Sequence, residues 1–532
     1  MSGEGFGSYD LGERNRNAKM HSLRAVSVGS LMLISSFILI SSSQASSIKH
    51  QAASCSSIDR APGWDARENA KTGTAGWDVP TSAKHSGSVS GWFDKVSLSC
   101  GDTVGLHLSG NGRDVTVKIY RMGYYNGALA RLLSTQIIRK VAKRSPAITT
   151  SAPAKTVYTN WPVSKMFTIG ADFPTGIYMA RFDDGSKVGF APLIVKDDLA
   201  TAPLLLVAST MTWQAYNTWG GYSLYHGPDT KIYDPGRIVS FDRPYDREGK
   251  SNYTVNEAGL IQAAESAGLD VSYSTDNDLD AGKTLPASTK TIIFGGHSEY
   301  WSTNMQNSVF AARDLGVNIL FFGGNQAYWR ARIENGGRNL AVWKSDPLDP
   351  YKTNPKLITN KWGAAPNLLN QSLLLGALSA GYGVVADYKV RDGSAWPFAG
   401  TNLATGNSIV GVVGNEVDTT DRGATPGVQT FLTSKVTLKN IIYDVNLTYY
   451  NADSHAGVID VSTNGWICSI TKTCPWTITI PATSKTITRI TQNILLASSK
   501  GPLGDKYPAK IDIFPRTEVV EICDLNCPDA TP

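Results

Sequence analysis

Residues 291–330 read TIIFGGHSEYWSTNMQNSVFAARDLGVNILFFGGNQAYWR, and the architecture of the larger part of the chain can be inferred outward from them. The stretch begins with an apolar strand, Thr291–Phe294, which runs into a glycine pair. A helix is predicted over Ser302–Leu315, with Ser302 as its N-cap, and a second strand follows over Asn318–Phe322. Two strands joined by a helix form a β-α-β crossover, which predicts neighbouring parallel strands.

The surrounding pattern extends this unit to an α/β domain over residues 199–500, with a mainly parallel sheet of the glutamine-amidotransferase-like kind. Leu204–Ala208 is an apolar run typical of a strand that is buried on both faces. A helix is predicted over Asn256–Ala267 and a strand over Leu269–Ser274. The later predicted elements are the strands Gly383–Tyr388, Ser408–Val413, Val436–Asp444 and His455–Val461 and the amphipathic helix Ser484–Ser498.

Residues 91–198 have a different rhythm, with short alternating strands separated by clusters of Gly, Asn and Pro. This pattern predicts an Ig-like β-sandwich domain. Residues 46–90 are rich in Ser, Ala, Gly and Lys and are predicted to be a linker, and residues 501–532 form a C-terminal, disulfide-containing tail. The predicted fold class is therefore multidomain α+β.

The N-terminal 45 residues have the three-part layout of a secretory signal peptide. Basic residues precede an apolar stretch from Ala25 to Ile40, and Ser43 and Ala45 are small residues suited to a cleavage site. We expect an exported protein that is secreted or held in the periplasm or cell envelope. The alternative is an uncleaved membrane anchor, although the stretch is short for a membrane span.

The six cysteines agree with export, because an even number in an exported chain predicts disulfide bonds. Short separations favour the pairs Cys468–Cys474 and Cys523–Cys527, which leaves Cys55 to pair with Cys100. A zinc site on the last four cysteines is the alternative, but their spacing matches no strong zinc motif.

Polar and aromatic clusters follow three of the predicted strands: residues 210–217 (TMTWQAYN), 295–301 (GGHSEYW) and 323–330 (GGNQAYWR). In a parallel sheet, the carboxyl ends of the strands open onto the crevice where ligands bind. The paired glycines let the backbone bend sharply towards a ligand. These clusters predict a functional site at one edge of the sheet. The alternative is that the aromatic residues pack on the sheet and the polar residues cap helices.

His297 and Glu299 are the strongest candidates for reactive groups. A histidine and a carboxylate two residues apart can share a metal ion or a water, or act as a base and its orienting partner. The sequence contains no HExxH, GxSxG or Walker-type motif, and no cysteine follows either glycine pair. Zincin, serine-hydrolase, nucleotidase and thiol mechanisms therefore lack support.

Several motifs resemble the large (β) subunit of N,N-dimethylformamidase and its wider family. The chain is similar to this family over about residues 90–500. The motifs, in order, are VKIYRMGYYNGALARLL, FPTGIYMARF, ASTMTWQAYN, FGGHSEYW, FFGGNQAYWR, AVWKSDP, IVGVVGNEVD, HAGVIDVSTNGW and ITRITQNIL.

The resemblance implies a mononuclear ferric site with two tyrosinate ligands and one glutamate. By motif, these ligands are Tyr178, Tyr216 and Glu299, and the surrounding catalytic residues are His297, Asn325, Lys344 and Glu416. Hard oxygen donors suit Fe(III), which would act as a Lewis acid and generate a hydroxide nucleophile. The sequence departs from the family at Trp213, where many relatives have Tyr.

The sequence therefore predicts an exported amidohydrolase-like enzyme that uses iron to hydrolyse an amide-type carbon–nitrogen bond in a small molecule. The alternative is a non-catalytic extracellular binding protein for a saccharide or peptide, with stacking faces on Trp219, Tyr222, Trp301 and Trp329. The net charge of +5 is too small to indicate nucleic-acid binding. No membrane span is expected after signal cleavage, and a homo-oligomer is one alternative for the quaternary state.

Overall fold

The computed structural model describes residues 55–78, 89–228, 234–246, 249–344, 347–420 and 426–514. The predicted signal peptide and the Cys523–Cys527 bridge lie outside the described residues.

The fold is mixed α+β, with many strands in several sheets and few helices. The strands are β1 Ser90–Phe93, β2 Ser97–Leu98, β3 Thr103–Ser109, β4 Val115–Met122, β5 Ala130–Ile138, β6 Ile148–Thr149, β7 Val157–Tyr158, β8 Lys165–Thr168, β9 Gly176–Asp183, β10 Val188–Val195, β11 Leu204–Ala208, β12 Ile238–Ser240, β13 Val271–Thr275, β14 Thr291–Phe294, β15 Tyr300–Ser302, β16 Asn318–Phe321, β17 Trp329–Glu334, β18 Asn339–Ala341, β19 Leu378–Tyr382, β20 Ala386–Val390, β21 Ser408–Val413, β22 Glu416–Thr419, β23 Gln429–Leu438, β24 Ile441–Asn451 and β25 Gly457–Asp460. The helices are α1 Trp64–Asn69, α2 Thr210–Tyr216, α3 Ser251–Asn256, α4 Ala258–Ser266, α5 Asp276–Asp280, α6 Thr303–Asp314, α7 Ser372–Leu375, α8 Gly465–Thr471 and α9 Pro481–Ser498.

Apart from the two-stranded sheet β6-β7, the strands of residues 90–195 form two sheets. One has three strands in the order β1-β3-β8, and the other has five in the order β2-β10-β9-β4-β5. Apolar side chains from both sheets form one buried core, among them Leu106, Ile119, Phe182 and Leu193. Alternate residues of each strand face this core. The other face of β9 and β10 is buried as well, with Met179 and Phe190 in a second apolar core. The Ig-like assignment stays a prediction.

The largest sheet has nine strands in the order β13-β11-β14-β16-β25-β24-β23-β20-β21. Strands β14 and β16 are parallel neighbours, with Thr291 opposite Asn318 and Phe294 opposite Phe321. The predicted β-α-β crossover is therefore confirmed. Strands β13, β11 and β25 are also parallel to this pair, so five strands bring their carboxyl ends to one edge.

The other half of this sheet differs from the predicted, mainly parallel arrangement. Strands β24, β23, β20 and β21 pair antiparallel, which makes the sheet mixed. The single strand predicted over Val436–Asp444 is instead the tip of the β23–β24 hairpin. Lys439 and Asn440 form its two-residue turn with φ angles of 48° and 64°, and left-handed residues at both central positions suit the twist of a tight hairpin. The glutamine-amidotransferase-like assignment stays a prediction.

The two long predicted helices are present with small shifts at their ends. The Ser302 side chain caps α6 by accepting a hydrogen bond from the backbone N–H of Met305 at 3.1 Å. Helix α9 begins at Pro481, three residues earlier than predicted, because proline is favoured in the first turn of a helix. Its apolar face, which includes Ile487, Ile490 and Ile494, is fully buried. Among the described residues, no helix combines the length and hydropathy needed to cross a membrane.

Residues 55–78 belong to the stretch predicted as a linker, and they pack against the rest of the fold. Arg121 on β4 donates hydrogen bonds to Asp65 of α1 at 3.3 Å and to Glu265 of α4 at 2.9 Å. All three side chains are fully buried. This ion-pair network joins the N-terminal segment, the five-stranded sheet and the helices beside the large sheet.

Both disulfide bonds predicted within the described residues are present. Cys55 pairs with Cys100, and Cys468 pairs with Cys474. No described cysteine is free. These bonds favour folding in an oxidising, non-cytoplasmic compartment.

Candidate active site and metal centre

The two glycine pairs that follow β14 and β16 lie in direct contact. A Cβ atom on Gly323 would lie 2.1 Å from the carbonyl oxygen of Gly296, and one on Gly324 would lie 2.6 Å from that of Glu416. Only glycine fits such close backbone approaches. The two bends and the start of β22 therefore meet at the carboxyl edge of the large sheet.

Glu299 is the centre of the cluster at this edge. Its carboxylate accepts a hydrogen bond from the Tyr216 hydroxyl at 2.8 Å and one from the Tyr225 hydroxyl at 2.7 Å. The two phenol oxygens are 3.3 Å apart, and the rings stack with centroids separated by 4.7 Å. Glu299 is only 1% exposed. Three oxygen-bearing side chains thus converge, with the carboxylate buried and the two tyrosines partly buried.

His297 lies beside this oxygen cluster. Its Nε2 atom is 3.3 Å from the Tyr216 hydroxyl, 3.4 Å from Glu299 and 3.7 Å from Glu416. Its Nδ1 atom is 3.2 Å from the carbonyl oxygen of Gly324, which holds the ring and directs Nε2 towards the carboxylates.

Asn325 connects the two carboxylates. Its side-chain Nδ2 donates to Glu416 at 2.8 Å and to Glu299 at 3.3 Å. Its backbone N–H is held by both oxygens of Asp418, at 2.9 and 3.0 Å. The Asn325 Oδ1 atom is buried and has no hydrogen-bond partner among the described residues. An amide oxygen in this position can accept a hydrogen bond from a bound ligand.

The charged groups of the site shift one another's pKa values. Burial opposes a positive charge on His297, but the carboxylates of Glu416 and Glu299 outweigh it and raise the pKa of His297 to about 9. Burial also opposes the charge on Glu299, yet the hydrogen bond and charge of His297 lower its pKa. For Glu416, burial and the negative charge of Glu299 raise the pKa. His297 is therefore protonated at neutral pH, and the neighbouring Glu416 loses its proton at a higher pH than an ordinary glutamate does.

In the absence of a metal ion, the pKa values of the two phenols are shifted upwards, whereas a bound metal ion lowers the pKa of a tyrosine ligand. Burial, followed by the charge of Glu299, raises the pKa values of Tyr216 and Tyr225 well above the ordinary value. Both are neutral donors to Glu299 in this arrangement. A cation between them would reverse this, because a bound positive charge favours the phenolate form.

The part of the chain that carries this site matches a known family model. The N,N-dimethylformamidase beta subunit-like, C-terminal model matches residues 116–476, more than half of the chain. This chain belongs to that family. The match spans all of the predicted site residues. A separate comparison with curated proteins found no match.

The family resemblance assigned Tyr178 as a ligand, and the structure places this residue elsewhere. Tyr178 lies on β9 in the core between the two smaller sheets, where it stacks on Phe173. Its hydroxyl donates to the carbonyl oxygen of Pro174 at 2.5 Å, and its nearest charged groups include Arg121 and Glu68. Tyr178 thus shares none of the contacts that join Tyr216, Tyr225 and Glu299.

The structure also places the remaining predicted residues. The Lys344 ammonium lies 3.8 Å from the centre of the Tyr225 ring and 5.0 Å from that of Trp329. Trp213, the residue at which the sequence was expected to depart from the family, is buried in the largest apolar core. Trp301 and Trp329 are buried as well, which removes two of the four stacking faces on which the binding-protein alternative depends.

Sequence reasoning missed Tyr225 and Asp418. Tyr225 lies nine residues after Tyr216 in an irregular segment, so no periodic pattern marks it. Asp418 is on β22, two residues after Glu416, and the strand brings both to the Asn325 bend. The useful signal was the tyrosine-rich run after Tyr216, since the resemblance implied two tyrosine ligands.

Proposed function

We propose that this protein is an exported, metal-assisted amidohydrolase-like enzyme that cleaves an amide-type carbon–nitrogen bond in a small molecule. The observation that carries the proposal is the convergence of Tyr216, Tyr225 and Glu299, with oxygen separations of 2.7–3.3 Å. Membership of the dimethylformamidase-like family supports hydrolysis of this bond class. The disulfides and the N-terminal signal pattern support export.

The residues present fit a ferric ion. Two ligands bound at about 2.1 Å and at right angles lie roughly 3 Å apart. The two phenol oxygens are separated from each other and from the nearest Glu299 oxygens by similar distances. Phenolate and carboxylate are hard, anionic donors that suit Fe(III). Among the described residues, no group of three or more His, Cys, Asp or Glu side chains is arranged to hold a metal ion, so the proposed ligand set depends on the two tyrosines. Tyr225 therefore takes the place that the sequence assigned to Tyr178.

In this proposal, the bound ion would supply Lewis acidity to polarise a carbonyl group and to lower the pKa of a water. The chain's own residues supply proton transfer and orientation. His297 carries a proton at Nε2 and is the general acid for the leaving amine. Glu416, 3.7 Å away, accepts a proton from the nucleophile and can exchange it with His297.

Asn325 and Lys344 position the substrate in the proposed reaction. The Oδ1 atom of Asn325, which lacks a partner among the described residues, would accept a hydrogen bond from the substrate nitrogen. The Lys344 ammonium, packed on the Tyr225 ring, adds positive charge near the developing oxyanion.

Replacement of Tyr225 or Tyr178 by phenylalanine tests the proposed ligand set. Tyr225→Phe removes one anionic donor and should abolish most iron binding and the visible tyrosinate-to-iron absorption band. Tyr178→Phe removes only a hydrogen bond to a backbone carbonyl and should leave the iron content and the band unchanged. Metal analysis and visible spectroscopy of the purified proteins provide both measurements.

The opposite pattern, with iron lost from Tyr178→Phe alone, would contradict the ligand set. A wild-type protein that binds no iron and remains colourless would contradict the metal-assisted function. That result would favour a binding protein that uses Trp219 and Tyr222, the two aromatic residues of that alternative that remain partly exposed.

A further inference from the structure

We infer that Arg243 is a positioning residue that holds the segment carrying both proposed tyrosine ligands. The inference rests on the proposed function for its consequence, the binding of iron. The claim that Arg243 holds this segment rests on the hydrogen bonds around Arg243 alone. Arg243 follows β12, touches none of the reacting groups and was not marked by any motif.

The guanidinium of Arg243 is fully buried and bonds almost entirely to backbone carbonyl groups. Its Nη1 donates to the carbonyl oxygens of Trp219 at 3.0 Å and Tyr222 at 2.8 Å. Its Nη2 donates to those of Asn217 at 2.9 Å and Gln214 at 3.4 Å. Its Nε donates to the side chain of Gln214 at 3.1 Å. One side chain therefore joins four residues of the 214–222 segment.

Three of the four carbonyl groups lie between the two proposed ligands, and the fourth, that of Gln214, lies just before the first ligand. Gln214 is two residues before Tyr216, and Tyr222 is three residues before Tyr225. The segment closes on itself, because the backbone N–H of Leu224 donates to the carbonyl oxygen of Ala215 at 2.9 Å. Arg243 thus fills the interior of a turn whose two ends carry the stacked phenols.

A second layer of hydrogen bonds supports the same turn. The Asn217 side chain donates to Gln214 at 2.6 Å and accepts from the backbone N–H of Trp219 at 3.0 Å. Asp246 accepts a hydrogen bond from the backbone N–H of Thr218 at 2.9 Å. These bonds link the turn to residues 244–246, which follow Arg243 directly.

Arginine is suited to this position by its shape. Its planar fork directs five N–H groups in fixed directions, whereas the lysine ammonium is a compact point charge. Arg243 forms no ion pair with any described carboxylate. Burial without such a partner lowers its pKa to about 10, so it stays charged at neutral pH. A buried charge held by carbonyl dipoles is typical of a group retained to organise the backbone.

The test compares Arg243→Ala with Arg121→Met, which removes another fully buried arginine that bonds to Asp65 and Glu265, away from the proposed ligands. We expect Arg243→Ala to weaken iron binding about 10–100-fold, as the loss of an outer-shell partner does, and to shift the tyrosinate-to-iron band. Added guanidinium ion, which fits the vacated space, should restore part of the binding. Arg121→Met should lower stability while keeping the iron content of the folded protein.

Hydrogen exchange of the metal-free proteins separates this inference from the proposed function. Residues 214–225 should lose protection in Arg243→Ala, regain it with guanidinium and keep it in Arg121→Met. Unchanged protection in folded Arg243→Ala would overturn the positioning role, whether or not iron binds. If protection is lost but the wild type takes up no iron, the role of Arg243 stands and the metal-assisted function fails.

Discussion

Asn325 shows how one residue can connect the backbone to the chemistry of the site. Its φ angle is 54°, a left-handed conformation that asparagine tolerates better than most residues. This conformation directs its backbone N–H to Asp418 and its side-chain Nδ2 to Glu416. Asp418 is fully buried, and burial raises its pKa to about 7.

Asp418 should therefore make the stability of the protein fall as the pH rises. A carboxyl group whose pKa is about 7 when folded and near 3.8 when unfolded favours the folded state most below pH 3.8. That contribution is lost as the pH rises through 7. Between these values the free energy of unfolding should fall by about 1.4 kcal/mol per pH unit for this one proton.

Asp418→Asn keeps an oxygen to accept the Asn325 N–H but cannot ionise. Denaturant unfolding at several pH values from 4 to 8 should show a shallower decline in stability for this variant than for the wild type. Parallel pH profiles for the two proteins would contradict the burial-raised pKa.

The bend after β16 shows that the glycine pairs have a structural role: they let two neighbouring strand ends approach each other closely. Strands β14 and β16 are neighbours, so their bends must pass over each other at the same edge of the sheet. Gly323 lies where the carbonyl oxygen of Gly296 leaves no room for a side chain. The same contact brings Glu299 and Asn325 within 3.3 Å.

Gly323→Ala should separate the two bends. A Cβ 2.1 Å from a backbone oxygen forces the backbone to move, which costs about 1–3 kcal/mol of stability, the range measured for overpacked cores. We expect lower stability together with loss of iron binding. Gly363→Ala is the control, because its added Cβ would meet only ordinary contacts. Equal stability of the two variants would contradict the close approach.

At the scale of the whole molecule, the ion pairs around Arg121 connect the N-terminal segment, the five-stranded sheet and the helices beside the large sheet. This arginine contacts Asp65 from the N-terminal segment and Glu265 from α4, and none of the three side chains reaches solvent. Burial, followed by the charge of Glu265, raises the pKa of Asp65. The segment predicted as a linker therefore contributes a buried carboxylate to the interior.

Arg121→Met should lower the free energy of unfolding by about 3–5 kcal/mol, because it leaves two buried carboxyl groups without their cation. Arg139→Gln breaks an ion pair with Asp114 on the surface and should cost less than about 1 kcal/mol. Thermal or denaturant unfolding of both variants measures the difference. Similar costs would indicate that the network around Arg121 is not buried.

Features that depend on neighbours along the chain could be predicted from the residues alone. Three local patterns each predicted a structure for a known physical reason. They are the apolar runs of β14 and β16, the Ser302 cap and the closely spaced cysteines 468 and 474. They were sufficient to place His297, Glu299 and Asn325 at one edge of a parallel sheet. Glu416, assigned by motif similarity, also joins this group.

Features that depend on contacts between residues far apart in sequence could not be predicted from the sequence. Tyr178 lies in a motif that resembles the family and Tyr225 lies in none, yet nothing along the chain shows which hydroxyl reaches Glu299. The choice follows from packing: β9 turns Tyr178 into the core of the smaller sheets, whereas the turn held by Arg243 stacks Tyr225 on Tyr216. Side-chain direction in an irregular segment depends on hydrogen bonds to residues far away in sequence, and these exist only once the chain has folded.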